Sequence, residues 1–325
     1  QIIDKKEEFL LELIDEVLPG IFPQVFPYSE QFSWLNAEDY LLPNQADLLA
    51  QKAKLEDDYK NKISKIDKEI EDNHTKYKFL HNLIHETDDL LVKSVKLYLE
   101  WLGFQNVIDM DETKPTVKEE DIQISLENGL LIIEVKGIGG TSQNSDCSQI
   151  NTIKFRRAEQ RRSFDVFALY IVNHQRYLPP KSRNNPPFSD QQIKDAINEK
   201  RGLLTTYDLF KLYDNIEAGF VTKEDARTAL LQYGLVTFKP SDADYLGFPQ
   251  EIHHKGTVAI LNINNTSLYK GVKIIVCNDG VYSEIEILEI QMDSQTVDIA
   301  EKGEIGIKFN HSISRRSELW IARKS

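Results

Sequence analysis

Between Tyr59 and Ile84 a seam residue returns in alternating steps of four and three: Tyr59, Ile63, Ile66, Ile70, Asn73, Tyr77, Leu80 and Ile84. That is coiled-coil spacing, and Asn73 is a polar break in the seam of the kind that sets register. The intervening "KLEDDYKNKISKIDKEIED" is mixed in charge, as a solvated helix should be. Two readings stand: a long helix packed within its own chain, and a coil at 59–84 that pairs with a second copy or a partner protein. Upstream, "LPGIFPQVFPYSEQFSWLNAEDYLLPNQ" is interrupted by Pro19, Pro23, Pro27 and Pro43 and predicts irregular structure. The chain opens directly on a helical pattern, "KKEEFLLELIDEVL", with no start signal, so a segment before Gln1 is expected.

Downstream the periodicity alternates. "DDLLVKSVKLYLEWLGF" places Leu91, Val95, Tyr98 and Leu102 at helical spacing, with Gly103 suited to the left-handed residue after the last turn. A hairpin follows over 119–137, then a basic helix in "SQINTIKFRRAEQRR" and a buried strand in "FDVFALYIVN". "SDQQIKDAINEKRG" predicts a helix capped by Ser189, and "LLTTYDLFKLY" leaves a strand for a further helix. Residues 85–215 thus form an α/β layered domain. "TKEDARTALLQYG" adds a short helix in a connector over 216–250. From about Gly256, short β-rich runs alternate with "NNT", "NDG" and "KG" turns, which predicts a small all-β barrel or sandwich over 251–325. The acidic helical region occupies 1–84.

The hairpin breaks its own pattern. "SLENGLL" offers Asn128-Gly129 as a two-residue turn. With that loop Asp121 pairs with Lys136 and Gln123 with Glu134, and period-two alternation puts all four on one face. Ile122, Ile124, Leu126, Leu131, Ile133 and Val135 take the other face. Two carboxylates and an ammonium then lie within the ~5–7 Å reach of cross-strand neighbours. Such a pair favours a hard cation such as Mg²⁺, for which Mn²⁺ substitutes, and leaves room for a phosphate oxygen. The bland reading is a solvent-facing strand with Asp121 and Lys136 as a surface ion pair. The near-continuous apolar run "LLIIEV" argues for cover on both faces, where unpaired charges cost several kcal/mol.

Charge sharpens this. The net charge is −13, which disfavours nucleic acid as a partner when taken as a whole. It is unevenly spread: residues 1–75 hold 17 acidic and 8 basic side chains, residues 154–183 hold 2 acidic and 8 basic. Lys154, Arg156, Arg157, Arg161 and Arg162 cover much of the basic helix, a surface suited to phosphate backbones or to the chain's own acidic third. Cys147 and Cys277 are too few for a disulfide framework, so a reducing cytoplasm is expected. No apolar run approaches the roughly 18 residues that span a bilayer, so no membrane association is expected. His81 and His85 have metal-pair spacing without the flanking carboxylate motif, and read as polar helix surface. No phosphate-binding glycine loop or nucleophile motif is present.

Asp followed by Glu-x-Lys on neighbouring strands after a helix resembles the PD-(D/E)XK, or restriction endonuclease-like, nucleases. The likeness covers about 85–215, through "LYLEWLGF", "EEDIQI", "LIIEVKG" and a Gln-bearing helix. It implies a restriction endonuclease-like layered core and a metal-dependent nuclease, acting on DNA in preference to RNA, in prokaryotic defence or DNA processing. It further implies Asp121, Glu134 and the Val135 carbonyl as metal ligands, Lys136 as catalytic lysine and Gln149 as auxiliary. One departure stands out: many members carry a Glu on the first core helix, where this chain has Leu91 or a neighbour, with Glu86, Asp88 and Asp89 close by. That departure favours the alternative, an inactive nuclease-fold scaffold that assembles through its coil and barrel. The segment "EIEILEIQMDSQTVDIAEKGEIGIKFNHSISRRSELWIA" resembles the second-domain β-barrel of translation elongation factors; the resemblance implies a barrel and does not extend to GTP hydrolysis or ribosome binding.

Overall fold

The computed structural model describes residues 9–11, 13–22, 24–26, 35, 37–113 and 120–323. Expected features at 1–8, at Pro23 and Pro27, and at Glu119 lie outside them. Gln1–Thr75 and Lys76–Ser325 are two compact units. In the first, Leu13–Val17 and Leu18–Ile21 make short helical turns, and Glu38–Tyr40 a 3₁₀ turn.

One helix, Gln45–His85, runs for 41 residues. Its seam has two fates. Tyr59, Ile63, Ile66 and Ile70 are exposed, as are Leu48 and Leu55 on the same face. In the second unit, Leu80 and Ile84 pack against the main core, and Tyr77 meets Tyr213 edge-on at 5.9 Å. The reading of a helix packed within its own chain therefore holds for the last two turns.

The second unit is mixed α/β. Its first sheet has the order β1 (Val107–Asp109), β2 (Ile122–Leu126), β3 (Gly129–Gly137), β4 (Val166–Asn173), β5 (Arg201–Thr205) and β6 (Gly234–Leu235). β1, β2 and β3 are antiparallel neighbours, and β3 to β6 run parallel. The parallel strands need crossovers, which the helices Asn144–Arg161, Asp190–Asn198 and Thr206–Glu217 supply. Ser189 accepts a hydrogen bond from the Gln192 amide while the Gln192 side chain returns to the Ser189 amide, so the expected cap is formed. β1 and β6 were not anticipated; at three and two residues they are too short to show a period.

The two faces of β3 are both covered. Leu131, Ile133 and Val135 join the core under the helix Asp88–Trp101, with Leu91, Val95, Tyr98 and Leu102 from that helix. Leu130 and Ile132 pack with Ile150, Ile153 and Ala158 of the helix Asn144–Arg161. Each buried aliphatic of this kind contributes about 1.5–3 kcal/mol.

The second sheet is antiparallel and curled into a half-barrel. Its order is β7 (Ala243–Gly247), β14 (Glu318–Ala322), β10 (Lys273–Asn278), β11 (Val281–Met292), β13 (Ile299–Phe309), β9 (Val258–Tyr269) and β8 (Glu251–His253), with β12 (Gln295–Val297) beside β11. Ala259, Leu261, Ile263 and Ile305, Ile307, Phe309 alternate inward at period two. The stretch 216–250, expected as a helical connector, holds the helix Lys223–Ala229, but β6 and β7 also lie in it and join the two sheets. The sheets share a core: Ile275, Cys277, Tyr282 and Trp320 pack with Leu209 and Leu212. Asn215 ties the seam, accepting from the Tyr282 amide at 3.0 Å and donating to the Gly280 carbonyl at 2.8 Å. Both cysteines are buried free thiols.

Candidate functional site

The hairpin turn differs from the expected one. β2 and β3 pair as Ile122 with Ile133, Ile124 with Leu131 and Leu126 with Gly129, so the loop is Glu127-Asn128. Gly129 is needed elsewhere: its φ is 153°, and a Cβ there would lie 2.2 Å from the Asp165 carbonyl oxygen, which accepts the Leu130 amide at 2.9 Å. The entry to β4 therefore claims the glycine, and the register slides by two residues. A slide of two preserves parity. Asp121, Gln123, Glu134 and Lys136 still share a face, with Asp121 now beside Glu134 in place of Lys136.

Even-numbered residues of β3 face the helix Asn144–Arg161. Leu130 and Ile132 lie under its body, and Glu134 and Lys136 follow toward its N-terminal end. Glu134 is 3% exposed. Its Oε1 lies 3.0 Å from Lys136 Nζ, and its Oε2 is buried with no hydrogen-bond partner. Asp121 sits just before β2, its amide donating to the Ile133 carbonyl at 3.1 Å. Its Oδ2 accepts the Val135 N–H at 2.6 Å.

Burial dominates the electrostatics. It raises the Asp121 carboxyl from 3.8 to about 7, Glu134 adds to the rise, and the Val135 amide and Lys136 oppose it. Burial also raises Glu134, against the hydrogen bond and charge of Lys136. For Lys136 burial pulls downward, but Glu134, Asp121 and Asp146 outweigh it and the net shift is upward. Two carboxylates that resist ionisation beside one ammonium form a site short of positive charge.

Two acidic residues near this cluster escaped the sequence reading. Asp111 raises both Asp121 and Glu134 through its charge. It sits on the turn Met110–Thr113, where the Asp109 carboxylate accepts the amides of Asp111 at 3.1 Å and Glu112 at 3.3 Å. The run "DMDE" carried that signal. Asp146 caps the helix Asn144–Arg161, accepting the Gln143 amide at 3.3 Å, and its charge reaches Lys136. The first core helix offers no carboxylate at Leu91, which is fully buried in the core. Asp89 instead lines a cavity of about 130 Å³ with Asp109, Asp111 and Glu112.

Gln149 is exposed on the second turn of the same helix. The cations lie farther along it. Lys154 begins ten residues beyond Asn144, about 15 Å along the axis. Arg157 corrects the phosphate-binding expectation: it is buried and forked onto Glu120, with Nε 2.9 Å from Oε1 and Nη2 3.1 Å from Oε2. Lys154 donates to the Lys200 carbonyl at 2.6 Å, and Arg161 pairs with Asp165 at 2.8 Å. Lys154 and Arg157 thereby tie the helix to the fold, whereas the Arg161–Asp165 pair lies at the surface. Arg156 and Arg162 are exposed, the latter at the C-terminal cap of the helix, and Phe164 just beyond it is 93% exposed.

Among the described residues, no group of three or more His, Cys, Asp or Glu side chains is placed to hold a metal ion. Asp121 and Glu134 are a pair, and a cation there would complete its shell from main-chain carbonyl and water. The orphaned Glu134 Oε2 fits such a cation, because a buried carboxylate oxygen without a donor is costly until a positive charge meets it. Among the described residues, no helix is long and apolar enough to cross a membrane.

No protein-family model matches the chain, and no curated protein matches it. Among solved structures, it is similar to the C-terminal domain of a putative U32 peptidase from Geobacillus thermoleovorans. That likeness has 14% identity and a TM-score of 0.21, covering 25% of this chain and 99% of that one. It is also similar to apo translation elongation factor SelB from Methanococcus maripaludis, at 10% identity and a TM-score of 0.21, covering 73% of this chain and 55% of that one. At these scores neither likeness assigns a fold or a function.

Proposed function

We propose that this chain is a Mg²⁺-dependent nuclease of restriction endonuclease-like type, hydrolysing phosphodiester bonds of DNA in preference to RNA. One observation carries the reading: a buried Glu134 with one oxygen on Lys136 and the other on nothing, beside an Asp121 whose carboxyl burial has raised. Asp121, Glu134 and the Val135 carbonyl would hold the ion. When bound, the cation supplies Lewis-acid polarisation of the phosphate and a more acidic water. Lys136, partly exposed and held by Glu134, orients a water or balances charge gathering on the phosphate. The Val135 N–H keeps Asp121 turned toward Glu134, so the pair is preorganised before any ion arrives. Setting the protein in prokaryotic defence or DNA processing belongs to the same proposal.

The test is an assay on single- and double-stranded DNA and RNA with Mg²⁺ or Mn²⁺. Wild-type protein is expected to cleave DNA, and Glu134→Ala and Lys136→Ala to be inactive yet folded. Equal cleavage by both variants would refute the assignment. A second reading, a non-catalytic scaffold on a nuclease fold, is favoured by the buried Leu91 where the family often places an acid. Mn²⁺ anomalous scattering between Asp121 and Glu134 separates the two, since the scaffold binds none.

A further inference from the structure

The exposed half of the long helix is self-complementary. Tyr59, Ile63, Ile66 and Ile70 form an open apolar seam, and the next turns are already engaged: Tyr77 by Tyr213, Leu80 and Ile84 by the core. The usable seam therefore closes at Asn73. Its sequence is symmetric about the midpoint between Ser64 and Lys65, pairing 59 with 70, 63 with 66, and 56 with 73. We propose that two copies of this chain associate through an antiparallel coiled coil over this segment, burying Ile63 on Ile66 and Tyr59 on Ile70 of the second copy.

The charges select the direction. In an antiparallel pair the flanking positions that meet are Lys62 with Glu69 and Lys60 with Asp67 of the other copy, each twice by the two-fold axis. All four side chains are exposed and lie beside the seam. Glu56 then faces Asn73 of the second copy, a polar layer on both sides of the central stretch, with Leu55 beside it at the edge of the seam. A parallel pair also sets Lys62 beside Asp67, but it places Glu56 against Glu56 and Lys52 against Lys52 across the seam itself, and these like charges repel and decide against it. It also runs on toward Tyr77 and Leu80, which have no surface left to share. The apolar stretch spans 12 residues, about 18 Å, so a reversible, concentration-dependent dimer is expected. The inference rests on the seam alone and is independent of the proposed chemistry.

Sedimentation equilibrium of the full chain tests it. Wild type is expected to dimerise, and Ile66→Asp, which buries two charges in the seam, to weaken the dimer on the order of 100-fold or more. Far-UV circular dichroism confirms that the variant keeps its helix. Lys62→Glu alone is expected to weaken association about tenfold. Lys62→Glu with Glu69→Lys restores it in the antiparallel register. In a parallel coil that double exchange sets the new carboxylate at position 62 beside Asp67 and the new ammonium at position 69 beside His74, and weakens the dimer further. A wild-type monomer at every concentration, a dimer indifferent to Ile66→Asp, or a double exchange weaker than either single one each overturns the proposal.

Discussion

Glu120, two residues before β2, and Glu134, on β3, are buried carboxylates of one hairpin region, 1% and 3% exposed, and they are treated oppositely. Glu120 is met on both oxygens by the Arg157 fork and again by Gln123 Nε2 at 2.9 Å. Glu134 is met on one oxygen by Lys136, and its Oε2 stays bare. A fully matched buried charge locks a helix to a sheet. A half-matched one keeps an unmet demand for positive charge, which is the physical basis of cation affinity. Burial of a charge is thus no guide to chemistry until its partners are counted oxygen by oxygen.

The comparison is broken most sharply by the conservative exchange at each position. Glu134→Gln is expected to reduce Mg²⁺-dependent cleavage by ~10³-fold or more, while raising the stability of the metal-free protein, because an amide does not suffer the bare-charge penalty. Turnover on a DNA substrate and urea denaturation in chelator measure both halves. Loss of stability together with activity would show that Glu134 is architecture, like Glu120. Arg157→Leu is next: it strands Glu120 and should cost about 3–5 kcal/mol by denaturation. Arg157→Leu with Glu120→Gln should recover much of that loss.

The pH response is graded. In metal-free protein Asp121 holds its proton more tightly folded than unfolded, since its carboxyl rises from 3.8 to about 7. The folded state therefore binds more protons across that window, and the Asp121 contribution to stability falls as pH rises from about 4 to about 7. Asp121→Asn should flatten this slope in chelator. Metal affinity runs the other way, falling up to about tenfold per pH unit below 7 because the ion must displace that proton. Calorimetric titration with Mn²⁺ at several pH values reads it directly.

How far these features were legible follows from the range of the forces involved. The shared face of Asp121, Glu134 and Lys136 was readable because strand parity survives a slide of two residues. The turn was not, because Gly129 answers to the Asp165 carbonyl at the entry to another strand, far along the chain. The basic helix was readable as a helix, but the fate of Arg157 was settled by Glu120 from another element. Asp111 and Asp146 went unnoticed because each looks locally like helix-start chemistry, and only the fold turns their charges toward the site. The all-β character of the C-terminal part was readable from its turns and short β-rich runs, while the inward phase of Ile305, Ile307 and Phe309 comes from the structure.

Gly137 closes the Glu-x-Lys strand against Thr87, whose hydroxyl donates to the Gly137 carbonyl at 3.1 Å. A Cβ at 137 would stand 2.6 Å from that hydroxyl oxygen and 2.7 Å from the Thr87 backbone. Positions 87 and 137 are therefore a single inheritance. Any lineage of this protein that places a side chain after the lysine must first move the junction between its long helix and its first core helix. An engineer who wishes to reshape the site from that end must begin at the threonine that opens the first core helix.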